Sequence, residues 1–576
     1  MPRTPFSRPV PFRFAALILL FACLVQAAIA AGTAPKLVVV IVVDGLPQEQ
    51  VLKYRDQYGA DGFNLLLQRG AWFGNAHQAH AVTLTAPGHA AALTGAYPYQ
   101  SGIIANEWID RKTQAAVYCT GDLAHSYIGE ETKKLDGTSP ANLRVSTLGD
   151  ELRYGNGGQS KILAVSGKDR GAILLAGKTG TAYMYMGKSG RFASTTYYMK
   201  EHPRWHERYY ADRPQDRWFG KSWTLALPER AYARSIADGQ PWFPNYRGMG
   251  NRFPFVLGSA GAKPDAVYYG ALMGTPYGDE LTLEFARAAI EGENLGRNPA
   301  GVPDLLGVSL STHDYVNHSF GPESRESQDH MLHLDRSLAA FFRYLDKRLG
   351  LDNVLIALTA DHGFQNVPEY SQSLGLPGMR IDSRKLMADL NEQLASRFGP
   401  GTYATQLSYP TIHLDYKLID ANSLDRAEVE SAVARILAEH PAIAAVYTRT
   451  QLESGALTSG RLATLVQRAW HRQLSGDLYV VQRPYAMFGS NVATHGSPYT
   501  YDTNVPLMLF GARWIRPGPS ANYAEVVDLA PTLAYLLETR PPSASEGRVL
   551  GEILLVRSVQ ATNRPGAGTI SGRGQK

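Results

Sequence analysis

Residues 36–45 read KLVVVIVVDG. Seven aliphatic residues follow one another from Leu37 to Val43 with no apolar–polar alternation, so both faces of this strand are expected to be buried. That is the pattern of an interior strand in a parallel sheet. The run ends on Asp44, at the carboxyl edge where such sheets gather their functional groups. Three later runs have the same character: KILAVS (161–166), LLGVSL (305–310) and NVLIALT (353–359). Between and around them, DELTLEFARAAIEGE (279–293) and QDHMLHLDRSLAAFFRYLDKRL (328–349) carry apolar residues at helical spacing. Strands alternating with helices predict an α/β fold, a mainly parallel central sheet with helices on both faces.

The flanks and two interior stretches depart from this pattern. Arg3, Arg8 and Arg13 precede the apolar run FAALILLFACLVQAAIA (14–30), which closes on Ala28-Ile29-Ala30. A basic start, an apolar run and an A-x-A end predict a signal peptide over residues 1–30 and a periplasmic or secreted protein. A retained anchor and lipidation of Cys23 are the alternatives this run leaves open. No second run is long enough to span a bilayer, so no stable membrane insertion is expected after cleavage. The catalytic domain is expected over residues 31–552, with insertions at about 171–265 and 366–490. The first is crowded with Tyr, Trp, Arg and Pro, as in HPRWHERYYADRPQDRWFGKSW (202–223). The second carries its own strand and helix patterns, YPTIHLDYK and LDRAEVESAVARILAEH, and reads as a small α+β unit. Residues 553–576, rich in Gly, Ser and Arg, are expected to form a disordered basic tail.

Charge and cysteine content exclude some functions. Of the formal +5, seven positive charges lie in the leader and in Arg557, Arg564, Arg573 and Lys576, leaving about −2 between them. That balance does not suit a nucleic-acid partner. Cys119 is alone once Cys23 is gone, so the exported chain must be held by its core, by metal or by both.

Chemistry collects at the strand ends. IVVDG supplies Asp44, STHDYVNH supplies Asp314 and His318, TADHG supplies Asp361 and His362, and the loop VATHGSPY supplies His495. Singly, each has an ordinary explanation: a helix cap, an i,i+4 surface pair, a solvated histidine. Together, three Asp and three His suit two divalent ions of zinc type, a pair that can assist both entering and leaving oxygens in phosphoryl transfer. HAVTLTAPGHAAALTG (80–95) adds Thr85 at a helix start. Its hydroxyl reads either as an N-cap or as a nucleophile activated by metal and by the positive helix end.

The segments VVDG, TLTAPGHAAALTG, THDYVNH, TADHG and ATHGSPYTYDTNVPLMLFG resemble the alkaline phosphatase superfamily, and within it the PafA-type bacterial phosphatases with a threonine nucleophile. The resemblance covers nearly the whole chain to about residue 550. It implies two Zn2+ per chain, one held by Asp314, His318 and His495, the other by Asp44, Asp361 and His362 with Thr85. It also implies that Asn106, Lys168 and Arg170 bind phosphate oxygens. Lys168 and Arg170, two apart in extended chain, would project to one side. Read alone, they are an ordinary solvated pair. Two cations suit a dianionic monoester better than a diester. The expected partners are therefore small phosphate monoesters and inorganic phosphate, bound by a monomer. A phosphodiesterase or nucleotide pyrophosphatase on the same scaffold is the alternative enzyme, and a non-catalytic exported phosphate-binding protein the alternative of another class.

Overall fold

The computed structural model describes residues 34–258, 263–457 and 459–555. The expected leader lies outside them, as do residues 556–576 of the expected tail. Nine strands form the central sheet: β1 Leu37–Val43, β2 Ala71–His77, β3 Ile162–Ser166, β4 Thr181–Met186, β5 Arg191–Ala193, β6 Asp304–Leu310, β7 Val354–Thr359, and the later β12 Leu507–Phe510 and β13 Gly518–Glu525. Their order is β13-β2-β12-β7-β1-β6-β3-β4-β5. The five strands β7-β1-β6-β3-β4 are mutually parallel, while β12 and β5 run antiparallel to their inner neighbours. Every residue of β1, β6 and β7 is buried, as expected for strands covered on both faces.

The helices that matter for function are α1 Thr85–Thr94, α2 Asp169–Ala176, α3 Pro276–Glu293, α4 Thr312–Phe320 and α5 Arg325–Leu349. On one face of the sheet, Gly307 of β6 lets α2 approach: a Cβ there would lie 3.0 Å from Leu175 Cβ. Helix α1 is entirely buried, made mostly of small residues, and ends on Gly95 in the left-handed region (φ 63°). Its closest approach is at Gly88, where a Cβ would run into the Asp361 carbonyl oxygen just beyond β7.

Two expected boundaries need correction. The first insertion does not begin at 171, because residues 169–193 form α2, β4 and β5 and extend the main sheet. The strand TAYMYM is hidden among aromatic residues that resemble the insertion beyond it. Only from Ser194 does the chain leave the sheet, and there Trp223, Phe243, Tyr246 and Phe255 pack on Val316 and Phe320 of α4. The tail does not begin at 553 either. Ile553 and Leu554 are buried, and the Leu555 N–H donates to the Trp514 carbonyl (2.9 Å).

Within the second expected insertion, the antiparallel strands β8 Ala404–Ser408, β9 Thr411–Leu414, β10 Ile443–Thr448 and β11 Leu478–Gln482 form a separate sheet in the order β8-β9-β11-β10. Helices α6 Ser383–Phe398 and α7 Arg426–Ala438 close its own apolar core around Leu394, Ile412, Val433 and Leu478. The chain then returns through the loop that carries His495.

Helix propensity favours Gly88→Ala by about 1 kcal/mol, but a methyl group pressed against fixed backbone costs about 1–3 kcal/mol or more. With backbone on the other side of the contact, the steric cost wins. Thermal unfolding of Gly88→Ala is expected at a lower Tm than wild type. An unchanged or higher Tm would show that α1 is free to move away from β7.

Candidate active site

The three adjacent strands β7, β1 and β6 end side by side, and each delivers part of one cluster. Asp44 follows β1 directly, Asp361 and His362 follow β7, and Asp314 and His318 lie one turn apart on α4 after β6. The loop before β12 adds His495. The structure brings all six residues together in two groups, Asp314/His318/His495 and Asp44/Asp361/His362. In the first, Asp314 Oδ1 lies 3.3 Å from His318 Nε2 and 3.4 Å from His495 Nε2. In the second, His362 Nε2 lies 3.4 Å from Asp44 Oδ1 and 3.5 Å from Asp361 Oδ2. The groups adjoin: the His362 and His495 rings stack with centroids 3.4 Å apart.

These residues fit divalent metal on three counts. A tetrahedral ion with Zn–N and Zn–O bonds near 2.0–2.1 Å sets its ligand atoms about 3.3 Å apart, close to the separations found here. All three histidines donate Nδ1–H to backbone carbonyls, His318 to Ala493 (2.9 Å), His362 to Gly363 (2.9 Å) and His495 to Thr83 (2.8 Å), which leaves each Nε2 lone pair facing the cluster. Finally, Asp44 Oδ1, Asp314 Oδ1 and His362 Nε2 are buried without any hydrogen-bond partner, a costly arrangement unless a cation compensates it. A third grouping, His202, His206 and Glu207, does not share this character, because His206 Nε2 bonds the Phe192 carbonyl and Arg191 pairs with Glu207.

Burial opposes ionisation of Asp314, but Lys168 and His318 hold it well below the usual carboxylate range. Burial would push the His362 imidazole down, yet Asp361 and Asp44 overcome this and raise it to about 9. His495 goes the other way, pushed down to about 3 by burial and by His362 beside it.

Thr85 is the first residue of α1, after an extended Leu84, and is 1% exposed. Its hydroxyl caps no backbone N–H, so the N-cap reading does not apply. Instead Arg170 Nη2 donates to Thr85 Oγ1 at 3.4 Å. The Ala86 N–H, exposed by the start of this helix, goes to Asn106 Oδ1 (2.8 Å), which orients Asn106 with its amide nitrogen still available. Lys168 and Arg170 do not share a stretch of extended chain as expected: Lys168 is extended but is the N-cap of α2, and Arg170 lies inside its first turn. Both nevertheless reach the site. Lys168 Nζ lies between Asp44 Oδ2 (2.7 Å) and Asp314 Oδ2 (2.5 Å), and Tyr315 packs over it. Arg170 is steadied by Tyr118, whose hydroxyl accepts from Nη1 (3.1 Å) and donates to Asp169 Oδ1 (2.6 Å). A cavity of about 330 Å³ opens beside the two cations, lined by Tyr127, Tyr185 and Tyr315 among others. Sequence reasoning missed Tyr118, Tyr315 and His89; only His89 left a signal, four residues after Thr85 and thus on the same helix face.

Residues 38–501 match the type I phosphodiesterase / nucleotide pyrophosphatase family, and the chain belongs to it. Among its relatives is the alkaline phosphatase PhoV of Synechococcus elongatus, 34% identical over 90% of this chain and 93% of that protein. A protein of Myroides odoratus named as a calcium-transporting ATPase is also 34% identical, over 90% and 95%. Alkaline phosphatase PafA of Elizabethkingia meningoseptica is 31% identical over 90% and 94%. A crystal structure of wild-type PafA superposes with a TM-score of 0.84 at 30% identity, covering 90% of this chain and 99% of that one. A second PafA structure, of a variant substituted at one Thr, one Asn, one Lys and one Arg, has the same TM-score. Those four positions succeed one another at the spacings of Thr85, Asn106, Lys168 and Arg170.

Behind α4, burial pushes the carboxyls of Glu323 and Glu326 up to about 8. Neither Glu326 oxygen has a hydrogen-bond partner. A folded value above the ordinary 4.5 means that the fold favours the protonated acid. Its contribution to stability is complete below about pH 4.5 and is lost as pH rises through about 8. Glu326→Gln keeps the neutral shape at every pH. The drop in Tm between pH 6 and pH 9 is therefore expected to be smaller in Glu326→Gln than in wild type. An equal drop in both would show that Glu326 does not carry this dependence.

Proposed function

We propose that this chain is an exported, zinc-dependent alkaline phosphatase that hydrolyses phosphate monoesters through a phosphothreonine at Thr85. One observation carries the reading. Arg170 donates to the buried Thr85 hydroxyl, Asn106 accepts from the N–H of the next residue and Lys168 lies between Asp44 and Asp314, three groups suited to phosphate oxygens beside two sets of residues that could hold metal ions. Kinship supports the coarser statement, a phosphoric monoester hydrolase, through the alkaline phosphatases PhoV and PafA.

Asp314, His318 and His495 would hold one ion, and Asp44, Asp361 and His362 the other, with Thr85 Oγ1 at the second. Bound there, zinc supplies positive charge that favours a deprotonated hydroxyl and neutralises phosphoryl oxygens. The chain's own residues do the rest. Thr85 Oγ1, fixed on a buried helix, forms a bond to phosphorus while the bond to the leaving oxygen breaks, and the alcohol departs with a proton. Water then cleaves the phosphorus–Oγ1 bond, returning the threonine and releasing inorganic phosphate. Arg170 Nη2, already at Thr85 Oγ1, is placed to grip an equatorial oxygen, and the Asn106 amide nitrogen a second. Lys168 adds charge on the side of Asp44 and Asp314. A loose phosphoryl transition state spreads charge over these oxygens, so preorganised donors act where charge develops. A diester offers one charged oxygen fewer.

The family description keeps diesters as the second reading. For export, the supporting feature is the leader pattern; among the described residues no helix is long and apolar enough to cross a membrane.

Two experiments test the proposal. Thr85→Ala is expected to abolish turnover with zinc still bound, Thr85→Ser to retain a substantial part, and rapid quench to trap phosphate on Thr85; label on another residue would refute the assignment. Loss of one preorganised donor costs about 3 kcal/mol, on the order of a hundredfold in rate. Lys168→Ala and Arg170→Ala should therefore lower monoester kcat/KM by that order and diester kcat/KM far less, with weaker inhibition by phosphate. Equal losses on both substrates, or a wild type that prefers diesters, would favour the second reading.

A further inference from the structure

His89 lies in α1, fully buried, one turn beyond Thr85. Its ring touches three parts of the site. Nδ1 lies 2.9 Å from the Thr85 carbonyl oxygen and 3.1 Å from Asp361 Oδ2, while Nε2 lies 2.8 Å from Ser309 Oγ at the end of β6. The chain of contacts continues. Ser166 Oγ, at the end of β3, donates to Ser309 Oγ (3.0 Å), and the Lys168 N–H donates to Ser166 Oγ (3.0 Å).

The chemistry of the partners orders every proton in this chain. The Thr85 carbonyl and the Asp361 carboxylate only accept, so Nδ1 carries hydrogen. The Ser166 hydroxyl is spent on Ser309, so the Ser309 hydroxyl is free to donate to Nε2, which accepts as a neutral imidazole does. The bonds therefore run in one sense, from the Lys168 N–H through Ser166, Ser309 and His89 to the Thr85 carbonyl beside Asp361. No room remains for substitutes. A Cβ on Gly171 would lie 2.5 Å from Ser166 Oγ and 2.6 Å from Ser309 Oγ, and one on Gly88 would strike the Asp361 backbone.

We propose that His89 is a positioning residue that hydrogen-bonds the nucleophile helix to the Lys168–Arg170 turn and holds its Nδ1 against the Asp361 carboxylate. This rests on the reading of the site given above. His89 touches no reacting atom. It fixes the distance between the threonine and the cations that must grip the same phosphoryl group, and its Nδ1 faces the Asp361 oxygen that would meet an ion (3.1 Å). Outer partners of metal ligands typically control metal affinity by about 10–100-fold.

The two arms separate by substitution. In His89→Asn the amide nitrogen takes the place of Nδ1 and the Ser309 arm is lost. In His89→Gln the amide reaches Ser309 and the donor beside Asp361 is lost. With zinc-loaded protein, release of zinc to a chromogenic chelator reads the first arm, and inhibition by inorganic phosphate reads the second. His89→Gln is expected to release zinc about tenfold faster or more, with phosphate inhibition close to wild type. His89→Asn is expected to hold zinc and to need several-fold more phosphate for half-inhibition. His89→Ala is expected to lose both. If Asn and Gln variants lose both properties in proportion to the fall in metal-free Tm, or if a folded Ala variant keeps both, the assignment is wrong. Should no His89 variant fold, Ser309→Ala reads the second arm alone, and unchanged phosphate inhibition there would overturn the proposal. A wild type that takes up no zinc would instead refute the reading of the site itself.

Discussion

Three carboxylates, Asp44, Asp314 and Asp361, are buried side by side at the ends of three neighbouring strands. Bringing such charges out of water costs several kcal/mol each unless opposite charge lies within a few ångströms. Lys168 answers part of that demand, between Asp44 and Asp314. The rest, including oxygens with no hydrogen-bond partner, would be met by cations held between carboxylate and imidazole. This requirement shapes what surrounds it. Parallel order in β7-β1-β6 puts the three strand ends on one line. The aromatic residues of the long excursion after β5 pack on α4, which carries Asp314 and His318. The histidines are turned by backbone carbonyls so that one nitrogen of each faces inward.

The same economy of space explains α1. A helix made mostly of Thr, Ala, Pro and Gly buries every residue, and at Gly88 nothing larger fits against the Asp361 backbone at the end of β7. Thr85 thereby stands at a fixed place, with Arg170 and Asn106 on it or on its neighbour's N–H. Rigid placement is what phosphoryl transfer through the proposed nucleophile and donors would ask of the protein, since positioning and electrostatics supply most of the catalysis.

Much of this is legible in the sequence, for physical reasons. Unbroken aliphatic runs mark buried parallel strands, and polar residues just past them mark the functional edge, so pattern alone places Asp44, Asp361 and His362. What local pattern does not encode is contact between distant segments. The strand TAYMYM reads as insertion because Tyr and Met suit a sheet and an aromatic cluster equally. Lys168 and Arg170 converge on the site through the start of a helix, not through extended chain, since Ser166 and Asp169 turn the backbone there. Ile553 and Leu554, in a run of four apolar residues before a polar tail, are buried beside Trp514 in a way that no periodicity announces. The roles of Tyr118 and His89 arise wholly from partners far along the chain.

The central claim is that two ions and one phosphoryl group occupy this cluster together. Anomalous diffraction at the zinc edge, from crystals of the wild-type protein grown with inorganic phosphate, tests it most directly. The account predicts two zinc peaks, one among Asp314, His318 and His495 and one among Asp44, Asp361 and His362, with phosphate between Thr85, Asn106, Lys168 and Arg170. A single peak, a peak outside these groups, or phosphate bound away from Thr85 would contradict it.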